Sequence, residues 1–357
     1  MWLINSSIGR KFVMAITGCC LVLFVTFHVL MNSVAIFWPT AYNSVCEFLG
    51  ANWYALIASA GLALLFIIHI VYALWLTFQN RAARGTDRYA VNTRPPQVEW
   101  SSKNMLVLGI VVVAFLVVHL CQFWYKMQYQ ELMHHDLSVL PQLDGVPVQP
   151  ALGTLFLQMA FSAAWVGIVY IIGFIALWFH MNHGFWSMFQ TVGWDNTTWL
   201  PRLKKVSLWW TSVVVVLFIV QVGVFTWRAN DNYYTENPEL QEQYAESWFK
   251  QVEAAQDEFD VALSEAQKPF RNIDFQTMDM ASQMKAQQDM QEAQTNLIKT
   301  AGRTFVNKMT VIDSAFQKQC PDVMPTQEMQ QALQMKAQFE AMLKAMDTPL
   351  DQINNQR

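Results

Sequence analysis

Four of the seven histidines in this 357-residue chain stand among apolar residues. His28, His69 and His119 interrupt long aliphatic and aromatic runs, and His180 closes another. A neutral imidazole carries one donor and one lone-pair nitrogen. Placed in hydrocarbon, it needs a polar neighbour or a metal to face. For a single histidine, a hydrogen bond to an adjacent helix explains this as well as ligation does. Four, one on each of four successive runs, favour ligation.

The runs themselves are long. A helix needs about 20 apolar residues to cross a bilayer core of roughly 30 Å. Residues 12–37, 53–78, 105–125, 155–179 and 206–227 meet that length. The first is too long for the apolar stretch of a signal peptide, and no small-residue cleavage pattern follows it. Pro39, Gly50, Asn52, Pro95, Pro96, Pro141, Pro147, Pro150 and Pro201 punctuate the breaks. Only 14% of the residues are charged, against about 25% in soluble proteins. The mean hydropathy of +0.19 averages two unlike parts. Residues 1–230 hold the apolar runs, whereas residues 231–357 are rich in Gln, Met, Ala, Glu and Asp. The fold class expected is all-α: a bundle of five transmembrane helices with a C-terminal extramembrane helical segment. The net charge of −4 gives no sign of nucleic-acid binding, and the five cysteines form no CxxC motif.

Loop charges orient the bundle. Arg10, Lys11, Arg81, Arg84, Arg88, Arg94, Lys103, Arg202, Lys204 and Lys205 fall on one side. The other side has Lys126 set against Glu131, Asp136 and Asp144. Basic residues concentrate in cytoplasmic loops, so the N-terminus is expected in the cytoplasm. Residues 231–357 are then expected on the outer side, the periplasm of a bacterial inner membrane.

Depth divides the histidines. His28 lies nine residues before Phe37, roughly 14 Å from the outer end of its helix at the α-helical rise. His119 also falls in the outer half, six residues before Tyr125. His69 lies nine residues before the inner end at Phe78, and His180 is itself at an inner end. His28 with His119, and His69 with His180, could therefore each grip one haem iron, the two haems being stacked across the membrane. Imidazole is a common axial ligand of haem. Gly61, Ala73 and Gly184 could make room for porphyrin, although helix packing explains each glycine equally well.

Several short stretches resemble one family in order and placement: Ser7-Ile8-Gly9-Arg10-Lys11, Phe27-His28 with Asn32, Ile68-His69-Ile70-Val71-Tyr72, Val118-His119, and Phe179-His180-Met181-Asn182-His183-Gly184-Phe185-Trp186-Ser187. They resemble the dihaem cytochrome b subunits of fumarate reductases and menaquinone-linked succinate dehydrogenases, over residues 1–230. The resemblance implies two b-type haems on His28, His119, His69 and His180. It implies electron transfer between a membrane quinone, menaquinone above all, and a flavoprotein and an iron–sulfur subunit on the cytoplasmic face. Those subunits would hold the succinate or fumarate chemistry, and a dimer of such heterotrimers is compatible with the resemblance. The chain has neither a flavin fingerprint nor a cysteine cluster of its own. His183 competes with His180 as ligand; the family spacing of His, three residues, then Gly favours His180.

In some members a glutamate near the outer end of the second helix accepts protons from menaquinol. Glu47 is the corresponding candidate here, with a solvated loop carboxylate as the plain reading. Some members also carry a glutamate just before the fourth-helix histidine. This chain departs from that pattern, having Trp178 and Phe179 there. Arg10 and Lys11 could meet haem propionates or partner subunits, or serve only as positive-inside signals. Trp2, Trp38, Trp53, Trp124, Trp209, Trp210 and Trp227 read as an interfacial belt.

In the outer segment, Tyr244, Trp248, Val252, Phe259 and Leu263 recur at helical spacing. Helices are expected over 239–266, 275–319 and 327–346, forming a hairpin or small bundle that caps the membrane part or binds a partner. Cys46 and Cys320 would share an oxidising compartment, which makes a disulfide conceivable. Two other functional readings stand beside the leading one: a different transmembrane haem-b electron carrier, and a haem-free membrane scaffold.

Overall fold

A computed structural model describes residues 6–84, 99–133, 137–271, 273 and 278–347. Arg88, Arg94, Pro95, Pro96, Asp136 and Trp2, used above for orientation and boundaries, lie outside the described residues. Two compact units are present: 1–135 with 150–234, and 136–149 with 235–357. The second unit thus takes in the loop that follows the third apolar run, which a division at residue 230 does not anticipate.

Among the described residues of the first unit, five helices are long and apolar enough to cross a membrane. They are contained in α1 (Ser7–Phe37), α3 (Trp53–Arg84), α4 (Trp100–His119, continued to Met133), α6 (Ala164–Gln190) and α7 (Trp199–Asn230). Leu64, Ile67, Val107, Ile110, Ile168 and Val216 are among the many large apolar side chains turned outward. So much exposed apolar surface belongs against lipid. The architecture is an all-α membrane bundle.

Ser6 caps α1 by accepting from Gly9 N. At the other end of α1, the Arg228 guanidinium donates to the carbonyls of Ala35 and Ile36 at 2.9 and 2.8 Å. Those carbonyls have no partner within the helix, so Arg228 ties α7 to the end of α1. Gln221 does the same one level deeper, donating to Val29 O and Ser33 Oγ.

Two elements differ from expectation. The first loop is not a turn but a helix, α2 (Pro39–Ala51), started by a proline at its first position. The fourth span begins at Ala164, not at residue 155. Residues Gly153–Phe161 form a separate short helix, α5, after which Ala163 adopts extended backbone. Leu155, Phe156 and Leu157 in α5 are fully buried. A helix enclosed by protein on all sides is as apolar as one facing lipid, and hydropathy cannot separate them. Asn43 of α2 caps α5 by accepting from both Thr154 N and Thr154 Oγ1 at 2.9 Å. Trp38, Trp53, Trp124, Trp209, Trp210 and Trp227 are all exposed, as a belt requires.

The second unit contains α8 (Pro238–Gln267), α9 (Met280–Leu297), α10 (Arg303–Gln319) and α11 (Gln327–Asp347), with α9 passing into α10 through a short π-helix. Tyr244, Trp248 and Val252 bury the predicted face of α8, while Leu263 is only half-buried. Phe259, Phe305 and Phe339 cluster at the α8–α10–α11 contact. A small hairpin, β1 (Gln142–Leu143) with β2 (Val146–Pro147), turns at Asp144-Gly145, both at positive φ. That backbone is the hairpin turn Asp-Gly favours. Gln319 locks the hairpin to the helices: it accepts from Trp248 Nε1 and donates to Pro147 O. Cys320 is buried in this unit, and both it and Cys46 are free thiols.

Candidate functional site

The bundle brings the four histidines together in twos. His28 of α1 faces His119 of α4 with ring centres 5.7 Å apart and planes at 84°. His69 of α3 faces His180 of α6 at 6.4 Å and 64°. These are the pairs that depth alone suggests.

Aromatic rings wall the first pair. Phe24 stacks on His28 one turn away, and Phe218 approaches from α7. Phe115 and Phe123, four residues to either side of His119, flank its ring. Phe115 can take this place because Gly173 has no side chain: a Cβ there would lie 2.4 Å from the Phe115 ring. Immediately after His119, α4 widens into a ten-residue π-helix, Leu120–Tyr129. π-Segments are rare and frequent at functional sites.

Polar contacts around this pair are few. Tyr170 Oη lies 3.3 Å from His119 Nδ1 and donates its proton to Gln122 Oε1 at 2.8 Å. Asn32 Nδ2 lies 3.3 Å from His28 Nε2, and Asn32 Oδ1 accepts from Tyr42 of α2. Burial pushes the Tyr42 hydroxyl well above its ordinary range, and the neighbouring Cys46 adds to this.

The second pair sits among small residues. Gly18 and Gly109 lie beside it: a Cβ on either would stand 3.6 Å from the Cε1 of His69 or His180. Open space, not an imidazole, flanks Gly61 and Gly184, so the glycines expected to make room are not the ones in contact. Thr17 Oγ1 lies 3.1 Å from His69 Nδ1. His180 Nδ1 is buried without a hydrogen-bond partner among the described residues.

Three helices measure the distance between the pairs. On α1, Gly18 touches the second pair and His28 belongs to the first. On α4 the corresponding residues are Gly109 and His119, and on α6 they are His180 and Tyr170. Each interval is ten residues, or about 15 Å of helix. The agreement places the pairs at two distinct levels of one bundle.

His183 faces Glu99. Its Nδ1 lies 3.3 Å from Glu99 Oε2, and Lys204 Nζ meets the other carboxylate oxygen at 2.7 Å. Burial raises the Glu99 carboxyl, but the hydrogen bonds from Lys204 and His183 outweigh it and hold it below the usual range. The Lys204 ammonium also lies 4.4 Å from the Trp186 ring centre, and His183 meets that ring edge-on. Arg10 packs its guanidinium over Trp75 of α3.

Glu47 is exposed on α2, not on a spanning helix, and shares an open depression with Ser44, Phe48, Asn52, Trp53 and Tyr54. Trp178 Nε1 donates to Ser212 Oγ at 3.0 Å. Thr17, Gly18, Gly109, Gln122 and Tyr170 escape a sequence reading. They are ordinary residues of apolar helices, and only the packing brings them to a histidine. Compared with protein-family models, characterised proteins and solved structures, the chain matches none.

Proposed function

We propose that this chain is the dihaem cytochrome b anchor of a fumarate reductase or succinate dehydrogenase complex. In this reading it passes electrons between a membrane quinone and the iron–sulfur and flavoprotein subunits on the cytoplasmic face. The observation that carries it is the pair of facing imidazoles at each of two levels.

A metal–imidazole bond of about 2 Å, with the ring radius added on each side, asks for ring centres about 6 Å apart across one iron. The separations of 5.7 and 6.4 Å fit that requirement. No cluster of three or more His, Cys, Asp or Glu suited to a metal is present among the described residues. A haem site needs none, because the macrocycle supplies the equatorial nitrogens. A haem held by His28 and His119, or by His69 and His180, would supply one-electron transfer.

The protein's part is to hold the rings and set their surroundings. Phe24, Phe115, Phe123 and Phe218 keep water from His28 and His119. Gly18 and Gly109 leave the edges of His69 and His180 clear. His69 and His180 belong to the cytoplasmic half in this reading, nearest the iron–sulfur subunit. Glu99 and Lys204 offer charge at that end. Glu47, beside Phe48, Trp53 and Tyr54, has the carboxylate and aromatic neighbours a quinol proton acceptor needs. The basic loops support an N-terminus in the cytoplasm and residues 235–347 in the periplasm of a bacterial inner membrane.

Purification of the full chain from its native membrane tests the reading. Pyridine-haemochrome analysis should return two b-type haems per chain, with a flavoprotein and an iron–sulfur subunit co-purifying. A chain free of haem would exclude it. Two haems without those subunits would leave a different transmembrane haem-b carrier.

A further inference from the structure

Each imidazole pair contains one histidine anchored to a hydroxyl oxygen whose own proton is committed elsewhere. Thr17 Oγ1 donates back to the carbonyls of its own helix, Val13 O at 2.9 Å and Met14 O at 3.2 Å. It has no second proton, so its 3.1 Å contact with His69 Nδ1 is an N–H···O bond donated by the histidine. Tyr170 repeats the pattern with a different residue. Its proton goes to Gln122 Oε1 at 2.8 Å, an atom that can only accept. Its 3.3 Å contact with His119 Nδ1 therefore also takes the proton of the ring.

The consequences are the same at both levels. This arrangement favours the Nδ1–H tautomer at His69 and His119, with the Nε2 lone pair left for a metal. The other member of each pair has no such acceptor. His180 Nδ1 is buried and unpartnered, and His28 meets Asn32 Nδ2, a donor.

Resting on the dihaem reading above, we propose that Thr17 and Tyr170 are positioning residues that separately set the redox potential of the inner and outer haem by accepting the Nδ1–H of His69 and His119. A hydrogen bond accepted from Nδ1–H raises the basicity of the ligating nitrogen and orients the ring. A more basic ligand favours the oxidised iron and lowers the midpoint potential. The two acceptors lie on different helices at different levels, so each should act on one haem alone.

The test is a redox titration of the full chain in its native complex, with ferric low-spin EPR spectra, for Thr17→Val, Thr17→Ser and Tyr170→Phe. His69→Ala and His119→Ala, each keeping one haem, assign the signals. Thr17→Val should raise the inner midpoint only, or lose the inner haem only, and Thr17→Ser should restore the original value. Tyr170→Phe should raise the outer midpoint only and move its EPR signal. The proposal is overturned if Thr17→Val and Tyr170→Phe leave both midpoints in place, if each moves both midpoints equally, or if Thr17→Ser matches Thr17→Val. Absence of haem from the unsubstituted chain would overturn the dihaem reading, and this inference with it. Haem present with unmoved potentials would overturn this inference alone.

Discussion

Asn43 Oδ1 accepts two hydrogen bonds from Thr154, one from the backbone N and one from Oγ1, both at 2.9 Å and both buried. The contact joins α2 to the start of α5, two elements 111 residues apart in sequence. Asn43→Ala removes a buried acceptor shared by a helix N-terminus and a hydroxyl, and should cost about 1–3 kcal/mol. The melting transition of the detergent-solubilised chain should fall accordingly. An unchanged melt would mean that water replaces the cap.

Histidine substitutions should separate by level. His119→Ala and His28→Ala should each halve the haem content while sparing the inner site. His69→Ala and His180→Ala should do the reverse. His183→Ala should retain both haems, because His183 faces Glu99 and not His69. Haem per chain, measured by pyridine haemochrome, reads all five. Loss of a haem in His183→Ala would reverse the choice between His180 and His183.

Gly173 should prove intolerant of any side chain. A Cβ would lie 2.4 Å from Cγ and 2.9 Å from Cβ of Phe115, atoms too near the backbone to swing aside. Overpacking of this kind costs about 1–3 kcal/mol, and Phe115 can escape only by leaving the face of His119. Gly173→Ala should lower stability and perturb the outer haem spectrum with the inner one unaltered. An unaltered outer spectrum would show that Phe115 has no part in the site.

The thiols of Cys46 and Cys320 should be inert. Burial pushes Cys46 up to about 12, opposed only in part by hydrogen bonds with Tyr42 and Gly153, and it pushes Cys320 up to about 12 as well. Alkylation needs the thiolate. At pH 8 about one molecule in 10⁴ carries it at such a site. Both cysteines should resist iodoacetamide in the folded chain at pH 8. After unfolding without reductant, mass spectrometry should find all five cysteines alkylated. Two unlabelled cysteines would reveal a disulfide.

The periodicity of α8 and the presence of five apolar helices are legible in the residues themselves. Helix formation and burial on one face depend on spacing along a single element, and spanning depends on a sum over a window. The division of His28, His69, His119 and His180 into two levels is also legible, because helical rise converts residue number into depth. The separate helix α5 is not, since side chains buried in protein and side chains facing lipid have the same composition. The assignment of residues 136–149 to the second unit is likewise a matter of long-range contact: Gln319 and Pro147 are 172 residues apart. His180 and His183 differ by three positions, too little for depth to separate, and the rotation of α6 against α3 turns one toward His69 and the other toward Glu99. Thr17 and Tyr170 are the clearest case. Nothing in a threonine or a tyrosine within an apolar helix marks it as a hydrogen-bond acceptor for a distant imidazole. That role arises when the bundle closes and leaves the hydroxyl oxygen as the acceptor facing Nδ1.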